Sequence, residues 1–230
     1  MFCITIICCV SCSGGGDWFG GDTGGTTDPP TPIPVVPKPI DPISSKSLSE
    51  RLLDASVTVL VYDTKKKLIQ LGSGVFVQSS IIATNFHVIK GGSYFCIERG
   101  AEENLIQAEI YKLDETHDVA LLKIDDSFPS SVLSLNTKLP KPGIDIRVAG
   151  SPMGLTGTIS EGIVSAIRTN PPLDDDLIQI SASISHGSSG GPVVNMAGEI
   201  LGISVSNIGG QGTQNLNFAV PAVYIEFLLR

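Results

Sequence analysis

SVTVLVYDTKKKLIQLGSGVFVQSSIIATNFHVI, residues 56–89, decides the fold. Its Val, Ile, Leu and Phe residues come in short runs, separated by Asp-Thr-Lys-Lys-Lys at 63–67 and Gln-Ser-Ser at 78–80. β-Branched and aromatic side chains lose rotamer freedom in a helix and pack well on a pleated surface, so these runs read as successive strands. Outward from this stretch the pattern continues through YFCIERG (94–100), LIQAEIYKL (105–113) and VALLKID (119–125). Six runs before Asp126 suffice for a small closed barrel. A second set follows: IDIRVAG (144–150), GTISEGIVSAI (157–167), LIQISAS (177–183), GPVVNM (191–196), EILGISVSN (199–207) and LNFAVP (216–221). Strands so closely spaced leave no room for crossover helices, which excludes βαβ units. The expectation is an all-β, two-barrel fold, residues 47–135 and 136–230, split near Asn136 to Gly143. Ser47-Leu-Ser-Glu50 has capping-box spacing and opens a short helix through about Ala55. VYIEFLLR, after Pro221, reads as a short terminal helix with proline at its first position.

The ends and the composition bound what else the chain does. Of 230 residues, 42% are hydrophobic, ample for a core, and the net charge of −8 offers no basic footprint for nucleic acid. Four of the five cysteines, Cys3, Cys8, Cys9 and Cys12, crowd the first dozen residues, which supports no disulfide framework. Cys96 reads as a small buried hydrophobe. The apolar stretch Phe2 to Val10 is far shorter than the ~20 residues of a membrane-spanning helix but suits the core of an export signal, residues 1–12. Val10-Ser11-Cys12 resembles the end of a bacterial lipobox, which makes Cys12 the candidate lipidation site, although no Lys or Arg follows Met1 and Cys9 stands where Leu is usual. Residues 13–46 are Gly-rich and then Pro-rich, a composition that reads as a tether. Together these features predict a protein of the bacterial cell envelope, attached to a membrane by its N-terminal lipid.

Chemistry is concentrated in His186-Gly-Ser-Ser-Gly-Gly-Pro192. Glycines around a serine let backbone N–H groups turn inward and leave Ser189 accessible, with Gly187 and Ser189 as the oxyanion donors. A hydroxyl needs a base to take its proton, and the base needs a carboxylate to orient it. His87 follows the apolar run SIIATNF, at the end of a strand, and Asp118 opens DVALLKID, where a carboxylate at the mouth of an apolar strand calls for a partner. The other histidines, His117 and His186, read as surface residues, His186 within reach of a bound substrate.

Together these contexts resemble the trypsin-like superfamily and, within it, the HtrA/Deg serine proteases. GSGVFV with ATNFHVI resembles the histidine segment of that family, THDVALLKI its aspartate segment and HGSSGGPVVNMAGEILGI its serine segment. VAGSPMGLTGTISEGIVSAI and LNFAVP resemble segments that build its second barrel, so the likeness runs from about Ser47 to Arg230. The chain order His, Asp, Ser fits the trypsin fold and not the α/β-hydrolase order. The resemblance implies a serine endopeptidase with His87 as base, Asp118 as its orienting carboxylate and Ser189 as nucleophile. It requires no cofactor or metal, and implies unfolded or extended polypeptide substrates and a role in envelope protein quality control.

The chain departs from the family at several points. Ser188 replaces the usual Asn before the nucleophile, and activation by an N-terminus pairing with an acid there is excluded. The sequence stops about a helix after LNFAVP, without a PDZ domain, so peptide recruitment is expected to rest on the cleft alone. The aromatic N-terminal segment through which many relatives trimerise is not evident, which leaves the oligomeric state open. By the same resemblance Ser183 lies at the base of the pocket for the side chain before the cut, with Ile184, Ser204, Val205 and Ser206 as walls. A neutral floor disfavours Lys and Arg. The competing reading is a catalytically silent trypsin-fold binding module.

Overall fold

The computed structural model describes residues 46–99, 105–125, 131–151, 157–170, 175–205 and 216–230. The export and lipidation readings at 1–12, Cys12 included, and the tether up to residue 45 lie outside the described residues, as does Ser206. Among the described residues no helix is long and apolar enough to cross a membrane.

The capping box forms as the sequence predicts. Ser47 caps α1 (Leu48–Ala55), its hydroxyl accepting from the Glu50 N–H while Glu50 Oε2 accepts from the Ser47 N–H at 2.6 Å. Strands β1 (Ser56–Tyr62), β2 (Leu68–Gln78), β3 (Ile81–Thr84), β4 (Tyr94–Glu98), β5 (Ile106–Asp114) and β6 (Val119–Lys123) follow, with a one-turn helix α2 (Phe86–Ile89) after β3. They close into a barrel in the order β1-β2-β3-β6-β5-β4. A second barrel holds β7 (Asp145–Gly150), β8 (Thr158–Asn170), β9 (Asp175–Ile180), β10 (Pro192–Asn195), β11 (Ile200–Val205) and β12 (Asn217–Pro221), before α3 (Ala222–Leu229). Its order, β10-β11-β12-β9-β8-β7, repeats the connectivity of the first. Closure removes the exposed edges that open sheets must protect. Pro221 ends β12 and caps α3 rather than entering it, one residue earlier than the sequence reading places it.

Alternation along each strand separates three apolar layers. Val57, Val59 and Val61 of β1, Phe76 of β2, Ile82 of β3, and Ala120 and Leu122 of β6 fill the first barrel. Their neighbours Val75, Val77, Ile81, Ala83, Val119 and Leu121 point the other way, into a layer shared with Ala149, Val194, Ile200, Ile203 and Val205 of the second barrel. Leu52 of α1 and Ile225 and Leu228 of α3 complete that layer. Strands covered on both faces become continuous apolar runs, which is why β3 and β6 read as IIA and VALL. Each fully buried Leu or Ile stabilises the fold by about 1.5–3 kcal/mol, so this seam holds the barrels in one relation. β5 lacks the second cover, and its exposed side chains mix Gln107 and Glu109 with Ile110, Tyr111 and Leu113. The connection between barrels docks early: Asn136 N–H donates to the Ile200 carbonyl and Ile200 N–H to the Ser134 carbonyl, both at 2.8 Å.

Candidate active site

His87 sits on α2, not at the end of a strand. β3 stops at Thr84, Asn85 takes the N-cap position without a side-chain cap bond, and Val88 and Ile89 fold back into the first barrel. Burying those two side chains outweighs the poor helix propensity of FHVI. Gln70 holds the turn from β2, donating through Nε2 to the His87 carbonyl at 3.0 Å.

Asp118 meets His87 twice. Its Oδ1 accepts the His87 N–H at 2.8 Å and its Oδ2 lies 2.7 Å from His87 Nδ1. A carboxylate there keeps the ring proton on Nδ1 and leaves Nε2 with its lone pair outward. Asp118 adopts φ +56, a left-handed conformation that costs a side-chain-bearing residue roughly 1–2 kcal/mol. Asn85 supports it by donating from Nδ2 to the Asp118 carbonyl at 3.0 Å. Asn85 Oδ1 is itself buried without a hydrogen-bond partner.

Ser189 arrives from the second barrel, on the loop between β9 and β10, and is 4% exposed. The carbonyls of Gly187, Ser188 and Ser189 are all pinned. The Ser188 carbonyl accepts the Gly191 N–H at 3.0 Å and the Ser204 hydroxyl at 2.7 Å. Because a trans peptide sets N–H opposite C=O, these two donors fix the direction of the Ser189 N–H. The Gly187 carbonyl accepts the Ser73 hydroxyl at 2.7 Å, and the Ser189 carbonyl accepts the Ser73 N–H at 2.7 Å. Ser73 thus grips the Ser189 loop from the first barrel. Ser151 N–H returns a bond to the Ser73 hydroxyl at 2.9 Å, and Thr84 donates to the Ser73 carbonyl at 2.7 Å.

One cavity of about 700 Å³ brings His87, Ser189, Gly187, His186 and Val205 together with Leu68 to Leu71 of β2. The expected pocket residues divide. Val205 lines this cavity, whereas Ser183 and Ile184 line a separate one of about 220 Å³ with Val148, Thr158, Ser160 and Ser188. Ser204 is wholly buried, its hydroxyl committed to the Ser188 carbonyl. Of the two histidines read as surface residues, His186 lines the cavity and His117 is partly buried. Cys96, half-buried on β4, is not the interior residue expected, and burial pushes its thiol up, keeping it protonated. Among the described residues no group of His, Cys, Asp and Glu could hold a metal ion.

Sequence reasoning missed Ser73, Asn85 and Gln70. The signal for Ser73 was a small polar residue between two glycines inside an apolar strand, a pattern that marks close approach of another backbone.

Comparison with known proteins agrees with this arrangement. The trypsin-like peptidase domain family matches residues 72–203. The chain is 34% identical over 191 residues to the anti-sigma-I factor RsgI9 of Acetivibrio thermocellus, covering 82% of this chain and 26% of that protein. It is 34% identical over 160 residues to a probable periplasmic serine endoprotease DegP-like of Rhizobium meliloti, covering 66% of this chain and 31% of that protein. Among solved structures, the HtrA-type protease AlgW with a tripeptide superposes with a TM-score of 0.71 at 26% identity, over 80% of this chain and 61% of that one. The chain thus spans about a quarter to a third of these two curated relatives. With two six-stranded barrels, a histidine–aspartate pair on one and a serine loop on the other, the chain belongs to the trypsin-like peptidase domain family, and it is similar to HtrA/Deg proteases.

Proposed function

We propose that the protein is a serine endopeptidase in which His87, Asp118 and Ser189 form the triad. One observation carries this: the Asp118 carboxylate holds His87 at two points, and His87 opens on the same cavity as Ser189 and Gly187. Ser189 Oγ attacks the substrate carbonyl while His87 Nε2 takes its proton. The N–H groups of Gly187 and Ser189 receive the oxyanion. His87 then protonates the departing amine, leaving an acyl-enzyme that water hydrolyses by the same steps. The substrate is an extended polypeptide. Leu68, Ile69, Leu71, Val88 and Val205 give the cleft an apolar lining, which favours uncharged residues at the cut.

The Rhizobium meliloti relative is named as a periplasmic endoprotease, which supports a cell-envelope setting here; attachment by lipid on Cys12 and a role in protein quality control belong to the same proposal. One acyl chain binds membranes marginally and several bind stably, so Cys12→Ser should move the protein to the soluble fraction.

The test of the activity is fluorophosphonate labelling and casein hydrolysis by wild type and Ser189→Ala. Labelling and turnover should both vanish in the variant. Equal turnover by the two proteins would overturn the assignment, and a folded wild type that takes no label would favour the silent binding module.

A further inference from the structure

A second histidine–aspartate pair lies one residue from the triad. His117 precedes Asp118, and its ring Nδ1 lies 2.5 Å from Asp114 Oδ2 while its N–H donates to Asp114 Oδ1 at 3.2 Å. A face of the same ring stacks on Tyr224 of α3, with centroids 4.1 Å apart and planes 16° from parallel. Tyr224 is tied in turn to β9, its hydroxyl accepting the Asp176 N–H at 3.3 Å. Neither residue touches the main cavity.

We propose that His117 is a positioning residue, bracing Asp118 in its left-handed conformation and coupling the C-terminal helix to the triad. Asp118 holds a backbone geometry that it disfavours, and such geometry persists only where the surroundings over-determine it. Its side chain is committed to His87 and its carbonyl to Asn85, both within the first barrel. What fixes its N-terminal side is His117, immobilised by hydrogen bonds to Asp114 and by a ring contact with α3, which packs in the seam between barrels. With His117 rigid on its N-terminal flank, Asp118 keeps one orientation, and His87 follows it. This rests on Asp118 as the carboxylate that orients His87.

The test compares His117→Ala, His117→Phe and Tyr224→Ala in the full chain. Reaction rate is sensitive to displacement, about 1 Å costing on the order of 100-fold, so His117→Ala should lower kcat roughly 10- to 100-fold with KM unchanged. The low-field proton resonance of His87 Nδ1 should shift with it. Tyr224→Ala should reproduce both effects from the far side of the stack, and it carries the test if His117→Ala does not fold. His117→Phe keeps the stack and should recover most of the rate. Wild-type kcat and an unmoved resonance in both alanine variants would overturn the proposal, as would His117→Phe being as slow as His117→Ala. If the wild type hydrolyses nothing but the resonance still moves in the alanine variants, the brace stands and the protease reading fails.

Discussion

The Ser73 hydroxyl, on the first barrel, donates to the carbonyl of Gly187, on the second, at 2.7 Å. The same oxygen accepts the Ser151 N–H at 2.9 Å, so one buried side chain satisfies two groups of the second barrel. Ser73→Ala leaves both unpaired, at about 1–3 kcal/mol each. The urea midpoint should therefore fall by the equivalent of about 2–6 kcal/mol. Turnover should fall as well, because the Gly187–Ser188 peptide, which leads into Ser189, loses its fixed plane. An unchanged midpoint would show that neither group depends on Ser73.

Asp118→Asn separates charge from shape. Asn tolerates the left-handed region and is nearly isosteric, so stability should stay within about 1 kcal/mol of wild type. Its amide, however, donates where the carboxylate accepts, and it turns the His87 proton to the wrong nitrogen. A fall in kcat on the order of 10⁴-fold is the consequence of that tautomer exchange in the trypsin fold. A loss of less than tenfold would remove Asp118 from the orienting role.

The strands were legible in the sequence because Val, Ile and Phe report local backbone preference, and the barrels because no helix separates the strands. The triad candidates stood out for a related reason: Ser189 lies within its own glycine turn, and Asp118 opens an apolar strand. What was illegible depends on the path of the chain through space. FHVI reads as the end of a strand, yet the burial of Val88 and Ile89 bends it into a helical turn. Ser204 looks like a pocket wall until its hydroxyl is seen on the Ser188 carbonyl. His117 looks like a surface residue because its partner Tyr224 is over a hundred positions away along the chain.

Acid should loosen the turn beside the triad. Burial pushes the Asp114 carboxyl up, but hydrogen bonds from the His117 ring and N–H and from the Thr116 N–H outweigh it and hold the group below the usual aspartate range. The folded state thus binds this proton less readily than the unfolded chain. The stabilisation is complete above the unfolded value of about 3.9 and is lost as pH falls through the lower folded value. Urea midpoints at pH 7, 5 and 3 should decline more steeply for wild type than for Asp114→Asn at the acid end. Parallel declines would show that Asp114 contributes nothing.

Two glycines separate backbone strain from close approach. Gly190 and Gly143 have nearly the same conformation, φ +88 and +91, so an added Cβ strains both equally, by roughly 1–2 kcal/mol. Their surroundings differ. A Cβ on Gly143 meets nothing within 4 Å, whereas one on Gly190 lies 2.1 Å from the Ser73 carbonyl oxygen and 2.3 Å from Thr84 Oγ1. Neither neighbour can yield cheaply, since the Ser73 carbonyl accepts the Thr84 hydroxyl and Ser73 also grips the Ser189 loop. Gly143→Ala should therefore lower stability by about 1–2 kcal/mol and leave kcat unchanged. Gly190→Ala should cost more than about 4 kcal/mol and abolish turnover, because relieving the clash separates the Ser189 loop from the first barrel and from His87. Denaturant midpoints of the two variants, with fluorophosphonate labelling of each, check this. Equal costs would show that φ alone governs Gly190 and that the packing of Ser73 against the serine loop is loose.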